Sequence, residues 1–139
     1  MGLILDTSVI VAAERQQFDL EAMLESNGSM RFYIASITAS ELLHGVHRAA
    51  SSKQRQKRSL FVEAILETFP IIPFDLSIAR SHAALWASLE MQGRIIGHHD
   101  MQIAATALER EYRLATLNIG EFARVPNLGL LDVAPFRLL

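Results

Sequence analysis

Apolar runs short enough for strands alternate along this chain with stretches of helical period, and no repeat, low-complexity tract or linker interrupts them. The strand candidates are "GLIL" (2–5), "RFYIAS" (31–36), "IIPF" (71–74), "RLATL" (113–117) and "LLDV" (130–133). "SVIVAAE" carries helix formers after a cap at Thr7 or Ser8, and "DLEAMLES" is a second helix closed by Asn27 and Gly28. From Thr38, "TASELLHGVHRAA" sets Leu42, Leu43 and Val46 on one face. The next helix, Gln54 to Thr68, is amphipathic through Leu60, Phe61, Ala64, Ile65 and Leu66, and Pro70 ends it. Asp75 or Ser77 caps a long helix to Met91, and "HHDMQIAATALEREY" is another helix beginning close to Asp100. Strands alternating with helices of ten or more residues predict an α/β fold with a mainly parallel sheet of about five strands, flanked by helices on both faces. The all-apolar "GLIL" suits a strand buried on both sides.

A chain of 139 residues is expected to form one domain, spanning 1–139. That length buries roughly two thirds of the unfolded surface without covalent staples. There is no cysteine, which excludes a disulfide framework and a thiolate metal site. No basic segment precedes a long apolar stretch at the N-terminus, and no uncharged run approaches the roughly 18 residues that span a bilayer. The expectation is a soluble, cytoplasmic protein with no membrane partner. The net charge of −2 hides one local imbalance, "RAASSKQRQKR", where Arg48, Lys53, Arg55, Lys57 and Arg58 occur without any acid. A solvated helix face is the ordinary reading of such a run, and contact with a polyanion is the other.

Ligands of parallel α/β sheets gather outside the carboxyl ends of the strands. Asp6 ends the first strand, Glu41 lies in the first turn of a helix that follows a strand, and Asp100 lies in the first turn of a helix that precedes one. All three can face one edge of the sheet. Two carboxylates about 5 Å apart repel by roughly 3 kcal/mol at an effective dielectric of about 20, so a fold that gathers three needs a reason. A hard divalent cation such as Mg²⁺ or Mn²⁺ supplies one. Each acid also has a plainer reading: Asp6 as a helix N-cap, Glu41 as the far member of the capping box "TASE" with Thr38 as cap, and Asp100 as a partner of a helix dipole.

The segments "LILDTSVIVA", "SITASELLHG", "GRIIGHHDMQIAATAL" and "LATLNIGEFARVPNLGLLD" resemble the successive acidic motifs of PIN-domain ribonucleases, most closely the VapC-type toxins of bacterial toxin–antitoxin pairs. The resemblance runs from residue 3 to about residue 133. It implies a PIN-like three-layer sandwich, Mg²⁺- or Mn²⁺-dependent hydrolysis of single-stranded regions of RNA to a 5′-phosphate and a free 3′-hydroxyl, a homodimer, and a cognate antitoxin that blocks the active groove. By matching positions, Asp6, Glu41 and Asp100 are the implied metal-binding and catalytic acids, supported by Thr7 or Ser8. The departure comes in the fourth motif. Members of the family often carry an aspartate two residues after its threonine, whereas here Thr116 is followed by Leu117 and Asn118. An amide carries no charge, and Glu121 compensates only if the backbone turns it inward. One metal ion is therefore expected rather than two.

Metal-assisted hydrolysis follows, with the ion lowering the pKa of a bound water and stabilising charge on the phosphorane. Arg15 and the stretch containing Lys53, Arg55, Lys57 and Arg58 are candidates for RNA-backbone contacts, and His99 for a phosphate. His98 and His99, or Glu41, His44 and His47 at i, i+3 and i+6, are also possible ligands for zinc, although histidines on a helix surface or in a core are the commoner case. Two other functions stand against the nuclease. A haloacid-dehalogenase-like phosphatase needs a second aspartate two residues after the first, where this chain has Ser8. A catalytically idle PIN-like interaction module fits the loss of acid at Asn118 but not the three acids elsewhere.

Overall fold

The computed structural model of the chain describes residues 1–138. Four strands, β1 (Gly2–Leu5), β2 (Arg31–Ala35), β3 (Ile71–Ile72) and β4 (Arg113–Ala115), form one sheet in the order β3-β2-β1-β4, and every neighbouring pair is parallel. β1 lies inside the sheet with all four residues buried, which is why its sequence holds no polar side chain. Its side chains alternate between two cores. Leu3 and Leu5 pack with Val9, Ile10, Met23, Leu42 and Val62, while Ile4 packs with Ile78, Leu85, Met101, Leu114 and Phe122. The first core is covered by α1 (Thr7–Glu14), α2 (Leu20–Ser26), α3 (Ser36–His47) and α4 (Ser52–Thr68). The second is covered by α5 (Leu76–Met91), α6 (His98–Arg110) and the short α7 (Ile119–Phe122). The result is a helix–sheet–helix sandwich, and among the described residues no helix is long and apolar enough to cross a membrane.

Several sequence expectations shift by a turn or a face, each for a local reason. The fifth strand does not form. Leu130 makes only an isolated bridge to Leu114, and the chain then turns, with Asp132 accepting the Ala134 N–H as the 3₁₀ turn Ala134–Phe136 begins. The cap position of α1 is Asp6 rather than Thr7 or Ser8, and its side chain makes no capping bond. α3 leaves β2 without an intervening loop, starting at Ser36, so Thr38 is a buried residue inside the helix and no capping box exists. Glu41 consequently lies in the second turn. The Ser36 hydroxyl, instead of capping, donates to the Ile72 carbonyl and ties β2 to β3.

α4 starts at Ser52, with the Ser51 hydroxyl accepting from the Gln54 N–H. Its buried stripe is Val62 and Ile65, flanked by Phe61 and Leu66. Leu60 falls off that stripe and is 76% exposed, and Ala64 is exposed with it. Asp19 and Asp75, by contrast, are working caps that accept from Ala22 and Ile78.

Leu5→Ala in the central strand is expected to cost about 2–5 kcal/mol of unfolding free energy, the range for a fully buried leucine. Leu60→Ser is expected to stay within about 0.5 kcal/mol. Urea titrations of the two variants check this assignment of inside and outside.

Candidate active site

Asp6 follows the last residue of β1 and is only 3% exposed. The parallel pairing of β1 with β4 places it beside Thr116, and its own N–H donates to the Ala115 carbonyl. Two hydroxyls donate to the same carboxylate oxygen, Oδ2: Ser8 at 2.6 Å and Thr116 at 2.7 Å. Both hydroxyls are themselves fixed from outside, Ser8 Oγ by the Leu117 N–H and Thr116 Oγ1 by the Asn118 N–H. Oδ1 has no side-chain partner among the described residues. Burial pushes the Asp6 carboxyl above its ordinary pKa, with the hydroxyls pulling the other way and the charge of Glu41 adding to the rise.

Glu41 is reached from α1 and α6. Thr7 Oγ1 donates to its Oε1 at 2.7 Å, and Thr7 also lies 3.1 Å from the buried Thr38 hydroxyl. His99 Nδ1 is 3.2 Å from the other oxygen, Oε2. Thr38 is a contributor that the sequence pattern disguised, because in "TASE" it reads as a cap.

Asp100 sits in the first turn of α6, where a carboxylate is ordinarily favoured. Here its pKa is instead pushed up to about 7. Burial is the largest cause. The next is a hydrogen bond with Glu121 that keeps the proton on Asp100, followed by the charges of Asp6, Glu121 and Glu41. Glu121 moves the opposite way, held low chiefly by the Gly97 N–H at 2.6 Å and also by the Asn118 amide. The shared proton therefore belongs to Asp100. The inward turn that Glu121 requires is supplied by α7, whose Phe122 is fully buried and anchors the short helix against the second core. Asn118 Nδ2 lies 2.7 Å from Glu121 and 3.3 Å from Asp100, tying the two acids together.

Four carboxylates from four separate segments thus lie at the carboxyl edge of the sheet, and the charges of three act on Asp100. Among the described residues none of them is in ion-pair contact with lysine or arginine. Nor do any three described His, Asp or Glu side chains gather at ligand distance around one point. That bears differently on the two metals considered. A zinc site needs three or four protein ligands, so the histidine sets are not a zinc cage. Mg²⁺ and Mn²⁺ need only one or two carboxylates, with water completing the shell.

The basic candidates divide. Arg15, Lys57 and Arg58 border one hollow with Gln54 and Phe61, and Arg58 pairs with Glu14 at 3.5 Å and donates to the Gly45 carbonyl. Arg55 lies with Val46 and Leu60 along a different side of α4, and Lys53 is exposed in its first turn.

The family model of the PIN domain matches residues 3–128. The chain belongs to the PIN-domain family, in its VapC ribonuclease branch. Ribonuclease VapC1 of Rickettsia felis is 38% identical over 134 residues, covering 96% of this chain and 98% of that protein. The crystal structure of VapBC2 from Rickettsia felis, bound to a DNA fragment from their promoter, matches with a TM-score of 0.84 at 32% identity, covering 94% of this chain and 98% of that one. VapBC-5 of Mycobacterium tuberculosis, a member of the VapBC family of toxin–antitoxin systems, matches with a TM-score of 0.74 at 28% identity, covering 94% and 97%. The four acids of this PIN-domain chain therefore stand within the matched segment.

Unfolding releases the Asp100 carboxyl to an ordinary pKa of 3.8, so between about 4 and about 7 the folded protein binds the extra proton. Stability from this group is full below pH 4 and is lost as pH rises through 7. Without divalent cations, Asp100→Asn is expected to melt higher than wild type at pH 8, since the amide still donates to Glu121 and carries no charge. The gain is on the order of a few degrees, solvent on the open side screening the rest. A variant that melts lower than wild type at pH 8 would show that repulsion does not act at Asp100.

Proposed function

We propose that this chain is the ribonuclease toxin of a toxin–antitoxin pair, acting in the cytoplasm and cutting single-stranded regions of RNA with Mg²⁺ or Mn²⁺. The observation that carries the reading is the mutually repelling acid cluster built on the buried Asp6 at the carboxyl edge of the sheet, with no lysine or arginine in ion-pair contact among the described residues. Its donors are hard carboxylate oxygens, the chemistry that suits these ions and not softer ones. Asp6 and Asp100 would hold the ion directly, Glu41 would reach it through bound water, and Glu121 would be the fourth acid in place of the aspartate missing at 118. When bound, the ion supplies Lewis-acid activation of water and neutralises charge on the phosphate.

The remaining work falls to the chain. Ser8 and Thr116 fix Asp6 through one oxygen and leave the other for a ligand. Thr7 holds Glu41 in place to accept a proton from an attacking water. Arg15, Lys57 and Arg58 bring positive charge alongside for the RNA backbone.

The cognate antitoxin is proposed to lie in an apolar hollow of about 580 Å³ walled by Phe18, Leu20, Leu24, Phe61, Ile65 and Phe69. Phe61 also borders the crevice that reaches Glu41, so a peptide seated in the hollow extends naturally to the acids and blocks them. A second copy of the chain is proposed to pair across α5. Its exposed positions include Leu76, Ala83, Ala84, Ala87 and Met91, and its two charged residues, Arg80 and Glu90, are of opposite sign and also exposed. An antiparallel twofold crossing sets Arg80 of one copy against Glu90 of the other.

Purified protein is expected to cut single-stranded RNA with Mg²⁺ or Mn²⁺ and to stop in EDTA. Asp6→Asn should lower the rate at least about 100-fold, the scale for removing one charge-stabilising group. Cutting that survives EDTA, or an active Asp6→Asn protein, would overturn the reading. In sedimentation, Arg80→Glu should weaken self-association and the added Glu90→Arg should restore it; equal association in all three proteins would remove α5 as the pairing face.

A further inference from the structure

Glu41 forms a wall between two unlike hollows. On one side is a crevice of about 120 Å³ that includes Glu14, Arg15, Gly45 and Arg58 in its lining. On the other is an open cavity of about 470 Å³ lined by Thr7, Ser40, Glu41, His44 and His99, with no lysine or arginine. The imidazoles approach this second cavity from two helices, His44 from α3 one turn beyond Glu41 and His99 from the start of α6. Both are exposed, and His99 also contacts Glu41 Oε2 at 3.2 Å.

The chemistry of the lining limits what enters. A phosphate would meet the Glu41 charge with no lysine or arginine in the lining to offset it. A zinc ion would need a gathered set of ligands, which the described residues do not form. A neutral, flat heteroaromatic ring meets two imidazole side chains, one from α3 and one from α6, and the Ser40 hydroxyl, which can both donate and accept. The volume falls in the range of small-ligand pockets. Bases in single-stranded RNA are splayed out and recognised in this manner, by stacking on planar side chains and hydrogen bonding at their edges.

We propose that this cavity is a nucleobase subsite: it receives the base flanking the scissile phosphate, with His44 and His99 stacking on the ring and the Ser40 hydroxyl bonding to its edge. The strand then crosses Glu41, its backbone passing to the crevice of Arg15 and Arg58. The inference rests on the proposed RNA cleavage and adds a determinant of which base is accepted there.

The test is a cycle between protein and substrate. Wild type and His44→Ala are compared on an RNA oligonucleotide and on the same oligonucleotide made abasic at one nucleotide, the position being moved stepwise across the cleaved bond. At one flanking position His44→Ala is expected to lower kcat/KM about tenfold on intact RNA and less than about twofold on abasic RNA, in keeping with the worth of one stacked base. His44→Phe should recover most of the loss, because it keeps a ring and no charge. Ser40→Ala should change the ratio of rates among the four bases at that position. Equal losses on intact and abasic RNA at every position, or failure of His44→Phe to recover activity lost in His44→Ala, would make His44 a phosphate or structural contact and overturn the subsite. If wild type cuts no RNA the nuclease reading itself fails. The same cycle run by equilibrium binding then decides the subsite, with a matched loss of affinity expected for the abasic strand and for His44→Ala, and no difference between the strands overturning it.

Discussion

The burial of one carboxylate at the end of the central strand is the constraint on which the rest of the structure depends. Removing Asp6 from water is unfavourable for the charged form, and this chain offsets it with two hydroxyls and the Ser8 backbone N–H, with no guanidinium or ammonium group. Ser8 comes from the first turn of α1 and Thr116 from the residue after β4, so the carboxylate is satisfied only when β4 lies parallel beside β1 and α1 departs at once from the strand. Sheet order and site are in this sense one arrangement. The Ser8–Thr116 contact at 3.3 Å and the backbone N–H groups of Leu117 and Asn118 close the ring around the same point.

Hydroxyls rather than guanidinium groups matter for what the site can do. An arginine beside Asp6 would neutralise it and lower its pKa, giving a more stable protein with no attraction left for a cation. Hydroxyl donors fix the geometry and leave the negative charge in place, and the repulsion stored among Asp6, Glu41 and Asp100 is the electrostatic cost of that choice. Local strain or repulsion held at a site is tolerable when the surrounding packing over-determines it. Here two cores meeting on β1, with Leu3, Ile4 and Leu5 all fully buried, provide that packing.

Much of this was legible in the sequence because it follows from periodicity and from residue type at element ends. "GLIL" had to be a strand buried on both faces, and Asp6 had to leave it at the edge where ligands gather. What failed to show was anything decided by distant packing. "TASE" has the spacing of a capping box, but β2 runs straight into α3, so the helix begins before its apparent cap and Glu41 moves a turn inward. "LLDV" has strand composition, yet one bridge to Leu114 is all it keeps before Asp132 turns the chain. The basic run on α4 reads as one feature in sequence, whereas helical rotation sends Arg58 toward Glu14 and Gly45 and Arg55 to another side. Glu121 was legible only as a conditional, since its direction depends on whether Phe122 is buried.

Asn118 illustrates how a missing charge can serve a charged site. From sequence it reads as a weakening, an amide where a fourth-motif aspartate is common. In the fold its amide nitrogen serves Glu121 at 2.7 Å and Asp100 at 3.3 Å, while Gly97 holds the other oxygen of Glu121. A carboxylate at 118 would replace those donated bonds with two repulsions, next to an Asp100 that burial, the Glu121 hydrogen bond and the neighbouring charges already lift to about 7. Glu121, a turn further on, supplies the negative charge from a position that the Gly97 N–H can stabilise. The negative charge of this segment thus sits at Glu121, and the amide at 118 lets Asp100 and Glu121 stand side by side.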